Sequence, residues 1–314
     1  MSSADRLRFN ASRPTAEGLA RMARAVSGPQ ARVMSVRRLT GGIDASTHLV
    51  RVEPGGAVVL KRSWTTDPAS LAGEFERLGW AAPARVPTPV PIRLDAAGDW
   101  FGRPAMVMGA VAGRAVFHGE VGPWVDELAA ALAAIHATPL PSPLPPVLRA
   151  PHAGLVWQPS EGAHRSSPAR VRALMGSARS LQAGLRRADG HADVLLHHDF
   201  HHGNVLWRRG RLSGVLDWNE ATTGPAASDV AYCSVDLAMT HGRRAADRFC
   251  AAYRVASGRD LPDLTGWQSL WTLNAMRWAA LWARGFHDAG IIHLGLPLLR
   301  DRLRRFADAV IATV

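Results

Sequence analysis

Lysine is almost missing from this chain: Lys61 is the only one among 37 lysines and arginines. Cysteine is scarce too. Cys233 and Cys250 allow one bridge at most, which excludes a disulfide framework, and both fall in segments of helical periodicity where they read as reduced, buried small residues. No run reaches the roughly 18 consecutive apolar residues of a membrane span. The first residues, Met1 to Arg6, carry neither an apolar stretch nor a small-residue cleavage site. These absences lead to the expectation of a cytoplasmic protein with no membrane partner. Acids are outnumbered, 26 against 37, giving a net charge of +11. That surplus raises nucleic acid as a partner. The arginines are scattered, however, with only short runs such as Arg208-Arg209, and no zinc or helix-turn-helix spacing appears. A generally basic surface is the better reading, and no nucleic acid is expected.

The lone lysine carries more information than the charge. Arginine serves this chain wherever a surface needs positive charge, so an ammonium ending the apolar run Ala57-Val58-Val59-Leu60 marks a place where a guanidinium does not substitute. An ammonium is a compact charge that fits between phosphate oxygens, whereas a planar fork does not always enter the same cleft.

A length of 314 residues, 47% hydrophobic and 20% charged, describes an ordinary globular chain of about two domains. The periodicity predicts a helix over 16–27, strands over Ala31–Leu39, Ser46–Glu53 and Ala57–Ser63, and a helix capped by Asp67 and Pro68 that runs to Trp80. Strands follow at Pro91–Asp95 and Pro104–Met108. Beyond Gly109 the pattern turns helical: Glu120–Ala137, a proline-rich connection to Ser160, then 168–188, 226–239, 243–257, 263–286 and 295–313, with one β interruption at Val194–Asp217. The fold expected is α+β and two-lobed. A small N-terminal antiparallel-sheet lobe (1–108) and a larger, mainly helical C-terminal lobe (114–314) are joined by a hinge at 109–113.

The most specific segment is His197-His198-Asp199-Phe200-His201-His202-Gly203-Asn204, followed by Val215-Leu216-Asp217-Trp218. A hairpin about Gly210 and Arg211 would set Asn204 opposite Asp217. One amide oxygen and one carboxylate side by side are hard ligands suited to Mg²⁺, and the free Asp199 carboxylate can accept a proton from, or orient, an attacking hydroxyl. The lysine needs an acidic partner. Glu74 borders the apolar stripe Leu71, Phe75, Leu78, whereas Glu76 points to the opposite side, so Glu74 is the expected partner.

This pattern, H-x-D-x-x-x-x-N, then a strand, then Asp-Trp, resembles the aminoglycoside phosphotransferase and choline kinase-like family, small-molecule kinases of protein-kinase-like fold. The resemblance implies an ATP- or GTP-dependent, Mg²⁺-dependent transfer of phosphate to a hydroxyl. Asp199 would be the catalytic aspartate, and Asn204 and Asp217 would hold the metal. Lys61 would meet the nucleotide phosphates, Gly41, Gly42 and Ser46 would lie in the loop covering them, and Met108 would stand at the hinge. The chain departs from the family in having His198 where glycine is common and His202 where proline is common.

The remaining features are weighed against plainer roles. Four histidines in one loop suggest a metal, but no cysteine or third acidic ligand completes a zinc set, and His197 is read as bonded to the loop backbone. Asp229 is expected to cap a helix and brace the catalytic loop. Trp267, Trp271, Trp278 and Trp282 form one aromatic face, mainly core, from which Trp271 and Trp278 are candidates to touch an acceptor, along with Asn219 and Glu220. The excess of base over acid disfavours a polycationic aminoglycoside; a macrolide, sugar or amino alcohol fits no worse. Two rival readings are a silent nucleotide-binding pseudokinase and a basic nucleic-acid-binding protein. Oligomeric state is not legible.

Overall fold

The computed structural model describes residues 8–39, 45–117, 119–149, 168–185 and 193–313. Gly41 and Gly42 lie outside these residues, as does the later part of the proline-rich connection. The chain divides into two compact units, Met1–Pro83 with Pro87–Ala112, and Ala84–Val86 with Gly113–Val314. Nothing in the sequence marks Ala84–Val86 for the second unit.

Period-two alternation in the first unit produces two long strands, β2 (Ala45–Glu53) and β3 (Gly56–Ser63), paired antiparallel with Val50 opposite Val58 and Thr47 opposite Lys61. β1 (Arg32–Arg38) extends the sheet on one side, and β5 (Ala105–Gly109) with β4 (Pro91–Asp95) on the other, in the order β1-β2-β3-β5-β4. Val50, Val52, Val58, Leu60, Ala105 and Val107 bury one face against Leu19, Met22 and Ala23 of α1 (Ala16–Ser27). Thr15 caps that helix by accepting from the Gly18 N–H. Asp67 caps a single 3-10 turn, Pro68–Ser70, rather than the helix itself. The helix α2 begins after it and spans Ala72–Ala81. Its buried side is Leu71, Glu74 and Leu78, with Phe75 only half-buried, so the stripe runs through Glu74.

The second unit is mainly helical. Its helices are α3 (Trp124–His136), α4 (Pro168–Leu185), α5 (Ala226–His241), α6 (Arg243–Ser257), α7 (Leu264–Asp288) and α8 (Leu296–Ile311). The first turn expected for α3 is missing because Pro123 disfavours helix in the residue before it and stands as the cap. α5 packs against α6, α7 and α8, which makes it the central helix. The β interruption is larger than the sequence suggests. Besides β6 (Val194–Leu196), β7 (Val205–Arg208) and β8 (Arg211–Val215), a short strand β9 (Thr222–Gly224) pairs with β6. No helix among the described residues is long and apolar enough to cross a membrane.

Candidate active site

The hairpin β7–β8 turns at Arg209 and Gly210, both with positive φ (53° and 78°), as a two-residue loop of primed type requires. Arg208 pairs with Arg211 and Trp207 with Leu212. An irregularity then shifts the register, so that Leu206 meets Gly214 and Val205 meets Val215. The Leu216 N–H donates to the Asn204 carbonyl at 2.8 Å. The turn is therefore one residue earlier than expected, and Asn204 faces Leu216, with Asp217 the next residue along. Asp217 adopts φ 62°, ψ 65°, a left-handed conformation that aspartate tolerates better than most residues. Trp218 is buried behind it, its indole N–H donating to the Val215 carbonyl at 3.2 Å. Although Asp217 precedes a 3-10 turn, its carboxylate makes no capping bond there.

The loop from His197 to Asn204 is held by one face of α5. Asp229, Tyr232 and Asp236 follow each other at i, i+3 and i+7, the spacing of a single helical stripe. Asp229 accepts from the His197 N–H at 2.8 Å and the His198 N–H at 2.9 Å. Tyr232 donates its hydroxyl proton to Asp199 Oδ1. His202 Nδ1 donates to Asp236 Oδ2 at 2.7 Å. Tyr232 and Asp236 were not in the expected set. Their signal was a polar stripe in a helix otherwise packed with small and apolar residues.

Asp199 is fixed on both oxygens, because Asn204 Nδ2 donates to Oδ2 at 2.9 Å and to the Asp199 carbonyl at 3.0 Å. Both bonds use the amide nitrogen of Asn204 and leave its oxygen for another partner. His197 does bond backbone, as expected. Its Nδ1 accepts from the Asp199 N–H at 3.3 Å, so Nε2 carries the proton and donates to the Leu216 carbonyl at 2.8 Å. One neutral ring thereby ties the Asp199 loop to the residue before Asp217. Complete burial depresses the His197 pKa, against the opposing pull of the Asp229 charge, and keeps the ring neutral. Burial, followed by the charge of Asp199, pushes the Tyr232 hydroxyl well above its ordinary range, so it remains a donor.

In the first unit, Lys61 Nζ donates to both oxygens of Glu74, at 2.5 and 2.7 Å. The side chains are 18% and 8% exposed, while Glu76 is exposed. Lys61 and Leu60 alternate across β3, which sends Leu60 to the core and Lys61 to the opposite face, where it meets Glu74 of α2. Ser46 is fully buried; its hydroxyl accepts from Arg62 at 2.9 Å. Arg62 also donates to the Ser12 carbonyl at 2.7 Å and lies 5.1 Å from the Phe9 ring. Met108 is half-buried on β5 opposite Val59.

A family model described as "Phosphotransferase enzyme family" matches residues 35–268. The chain belongs to that family. No curated protein matches it. Among solved structures, aminoglycoside phosphotransferase APH(4)-Ia is 17% identical with a TM-score of 0.62, over 95% of this chain and 99% of that one. Macrolide 2'-phosphotransferase MphH from Brachybacterium faecium is 20% identical with a TM-score of 0.56, over 93% and 98%. Amicoumacin kinase hAmiN, solved with AMP-PNP, Ca²⁺ and Ami, is 14% identical with a TM-score of 0.56, over 89% and 88%. At these identities the likeness is one of fold: α+β, of the two-lobed protein-kinase-like class.

In this member of the family the aromatic face of α7 is divided. Trp267 and Trp271 are buried, and the Trp271 ring packs 4.8 Å from Tyr232 and 5.6 Å from His198. Trp278 is exposed, with the Arg277 guanidinium 4.9 Å over its ring. Trp271 therefore stands one residue away from Asp199, and Trp278 lies further along the helix at the surface. Asn219 and Glu220 are exposed and bonded to each other at 3.4 Å.

Proposed function

We propose that this protein is a small-molecule kinase that moves the γ-phosphate of ATP or GTP to a hydroxyl group. The observation that carries the reading is the Asp199 carboxylate, held between Tyr232 and Asn204 yet 32% exposed. A carboxylate has about four acceptor positions, so one gripped by two donors still has room to receive and align an acceptor hydroxyl. Asn204, with its amide oxygen spared, and Asp217, with its carboxylate spared from capping, are the hard-oxygen pair for Mg²⁺. Magnesium, when bound there, would offset the charge of the phosphate oxygens. Lys61, oriented by Glu74, would serve the nucleotide phosphates. The complex of amicoumacin kinase with AMP-PNP and Ca²⁺ supports a triphosphate and a divalent cation as co-reactants. With Tyr232 bonded to Asp199 and Trp271 packed on Tyr232, an acceptor of low charge suits the site better than a polycation.

The test is a phosphate-transfer screen against macrolides, aminoglycosides, sugars and amino alcohols. Asp199→Asn should lower turnover by about 10²–10⁴-fold while nucleotide still binds. Near-normal turnover in that variant overturns the assignment. Intact nucleotide binding with no transfer to any acceptor favours the pseudokinase.

A further inference from the structure

Sequence spacing alone supplies two adjacent histidines, 201 and 202, with no third ligand. The fold brings one from 34 residues away. Asp236, on the α5 face that carries Asp229 and Tyr232, is bonded to His202, and donor atoms of His201, His202 and Asp236 all lie within 4.8 Å of one another. We propose that these three side chains form a site for a borderline divalent transition metal, Zn²⁺ foremost, separate from the hard-oxygen pair Asn204 and Asp217.

Two imidazole nitrogens and one carboxylate oxygen are a zinc donor set, with the fourth position left to water. Mg²⁺ and Ca²⁺ prefer oxygen alone and are poor competitors here. His201 Nδ1 accepts from the Gly203 N–H at 3.1 Å, so the neutral ring carries its proton on Nε2; binding an ion through Nε2 takes the other tautomer and a turn of the partly exposed ring that gives up the Gly203 bond. The ion takes the place of the proton between His202 Nδ1 and Asp236 Oδ2; that proton moves by way of water to Nε2, so the ring stays neutral as the other tautomer. His202 is buried, whereas the His201 side chain is 28% exposed and that of Asp236 14%, so entry is from the His201 side. Phe117 backs the site, its ring 5.0 Å from His202 and 4.9 Å from His241, and restricts water on the inner side. Drawing the three donors onto one ion needs a contraction of about 1 Å or more, because ligand bonds to zinc are about 2.0–2.2 Å. Partly exposed His201 can supply it by turning its ring.

His201 Nε2 is also 3.9 Å from Asp199 Oδ1. An ion held there sits beside Asp199, and on the kinase reading proposed above it slows phosphate transfer. The site itself does not depend on that reading.

Tag-free protein without nucleotide, in excess Mg²⁺, is titrated with Co²⁺ while the visible d–d absorption is followed, and Zn²⁺ is then added in competition. One equivalent should bind and be displaced by Zn²⁺. Asp236→Asn and His201→Gln should each weaken binding at least about tenfold, and Asp217→Ala should leave it unchanged. Absence of one-equivalent binding overturns the site, as does unchanged affinity in His201→Gln, whose partly exposed side chain makes misfolding no explanation. Zn²⁺ inhibition is read separately in the transfer assay, so failure to find an acceptor leaves the titration decisive.

Discussion

The Asp229 carboxylate takes the His197 N–H on one oxygen, at 2.8 Å, and the His198 N–H on the other, at 2.9 Å. Behind it, His136 Nε2 donates to Oδ2 at 3.3 Å, and the Tyr253 hydroxyl meets His136 Nδ1 at 2.7 Å. Asp229 and His136 are wholly buried. In Asp229→Asn one of the two N–H groups would face an amide NH₂ and lose its acceptor. Losing a charged acceptor to a buried donor costs about 3 kcal/mol. A drop of that order in urea unfolding is expected, and a change below about 0.5 kcal/mol would mean the brace is dispensable.

The same carboxylate shapes the acid limb. Burial, the largest single influence, works to raise its pKa, but the surrounding histidines, His136 first among them, together outweigh it and hold the group below the ordinary carboxylate range. A folded pKa below the unfolded value of about 3.9 gives stability that is present above that pH and lost as pH falls through the folded value. The stability difference between wild type and Asp229→Asn should therefore be largest near neutrality and shrink below about pH 4. Equal loss at pH 7 and pH 3 would refute the account.

His48 acts at higher pH. It is buried on β2, its Nδ1 has no hydrogen-bond partner, and burial, followed by the charges of Arg62 and Arg38, lowers its pKa to about 4. Between an unfolded value of about 6.5 and that folded value, the unfolded chain takes a proton that the folded chain refuses. Stability must then fall as pH drops through this window. His48→Leu has nothing to titrate, so its denaturation midpoint should change less than that of wild type between pH 6.5 and pH 4. Parallel curves for the two proteins would exclude His48 as the cause.

His198 holds a backbone conformation that glycine adopts freely, with φ 65°. Its ring compensates in part, packing 5.6 Å from Trp271. Alanine at this position keeps the left-handed strain and loses the ring; glycine loses the ring but relieves the strain, which is worth about 1 kcal/mol. His198→Gly should therefore be the more stable of the two variants by thermal unfolding. The opposite order would show that the strain is absent in solution.

Much of this was legible in the sequence, for physical reasons that particular residues make plain. Leu71 and Leu78 fix which side of α2 is buried, and Glu74 lies between them, which is why Glu74, and not Glu76, is bonded to Lys61. The hairpin was legible from Asn204 to Asp217, but its register shift at Leu206–Trp207 was not, because nothing in Leu212-Ser213-Gly214 marks an extra residue. Tyr232 and Asp236 were missed because their partners are 33 and 34 residues away, and only the fold joins them. Ser46 reads as a loop hydroxyl for phosphate, yet its buried bond with Arg62 makes it part of the packing of the first unit. A period-two pattern says which face a side chain takes, not what waits there.

Lys61→Arg separates charge from shape. The variant keeps a cation next to Glu74, and a guanidinium bonds a carboxylate well, so its unfolding midpoint should correspond to a loss of less than about 1 kcal/mol. Nucleotide affinity should still fall by at least about tenfold, because the planar head is wider than an ammonium and, with its fork committed to Glu74, presents no compact charge to a phosphate. Glu74→Gln should show the reverse balance. There the ammonium keeps its shape but loses its orienting anion, costing about 1–3 kcal/mol for a mostly buried pair and making the lysine more mobile. Isothermal titration with ATP and GTP, beside thermal unfolding of both variants, measures each half. Wild-type affinity in Lys61→Arg would mean that the one lysine in this arginine-rich chain is there by chance.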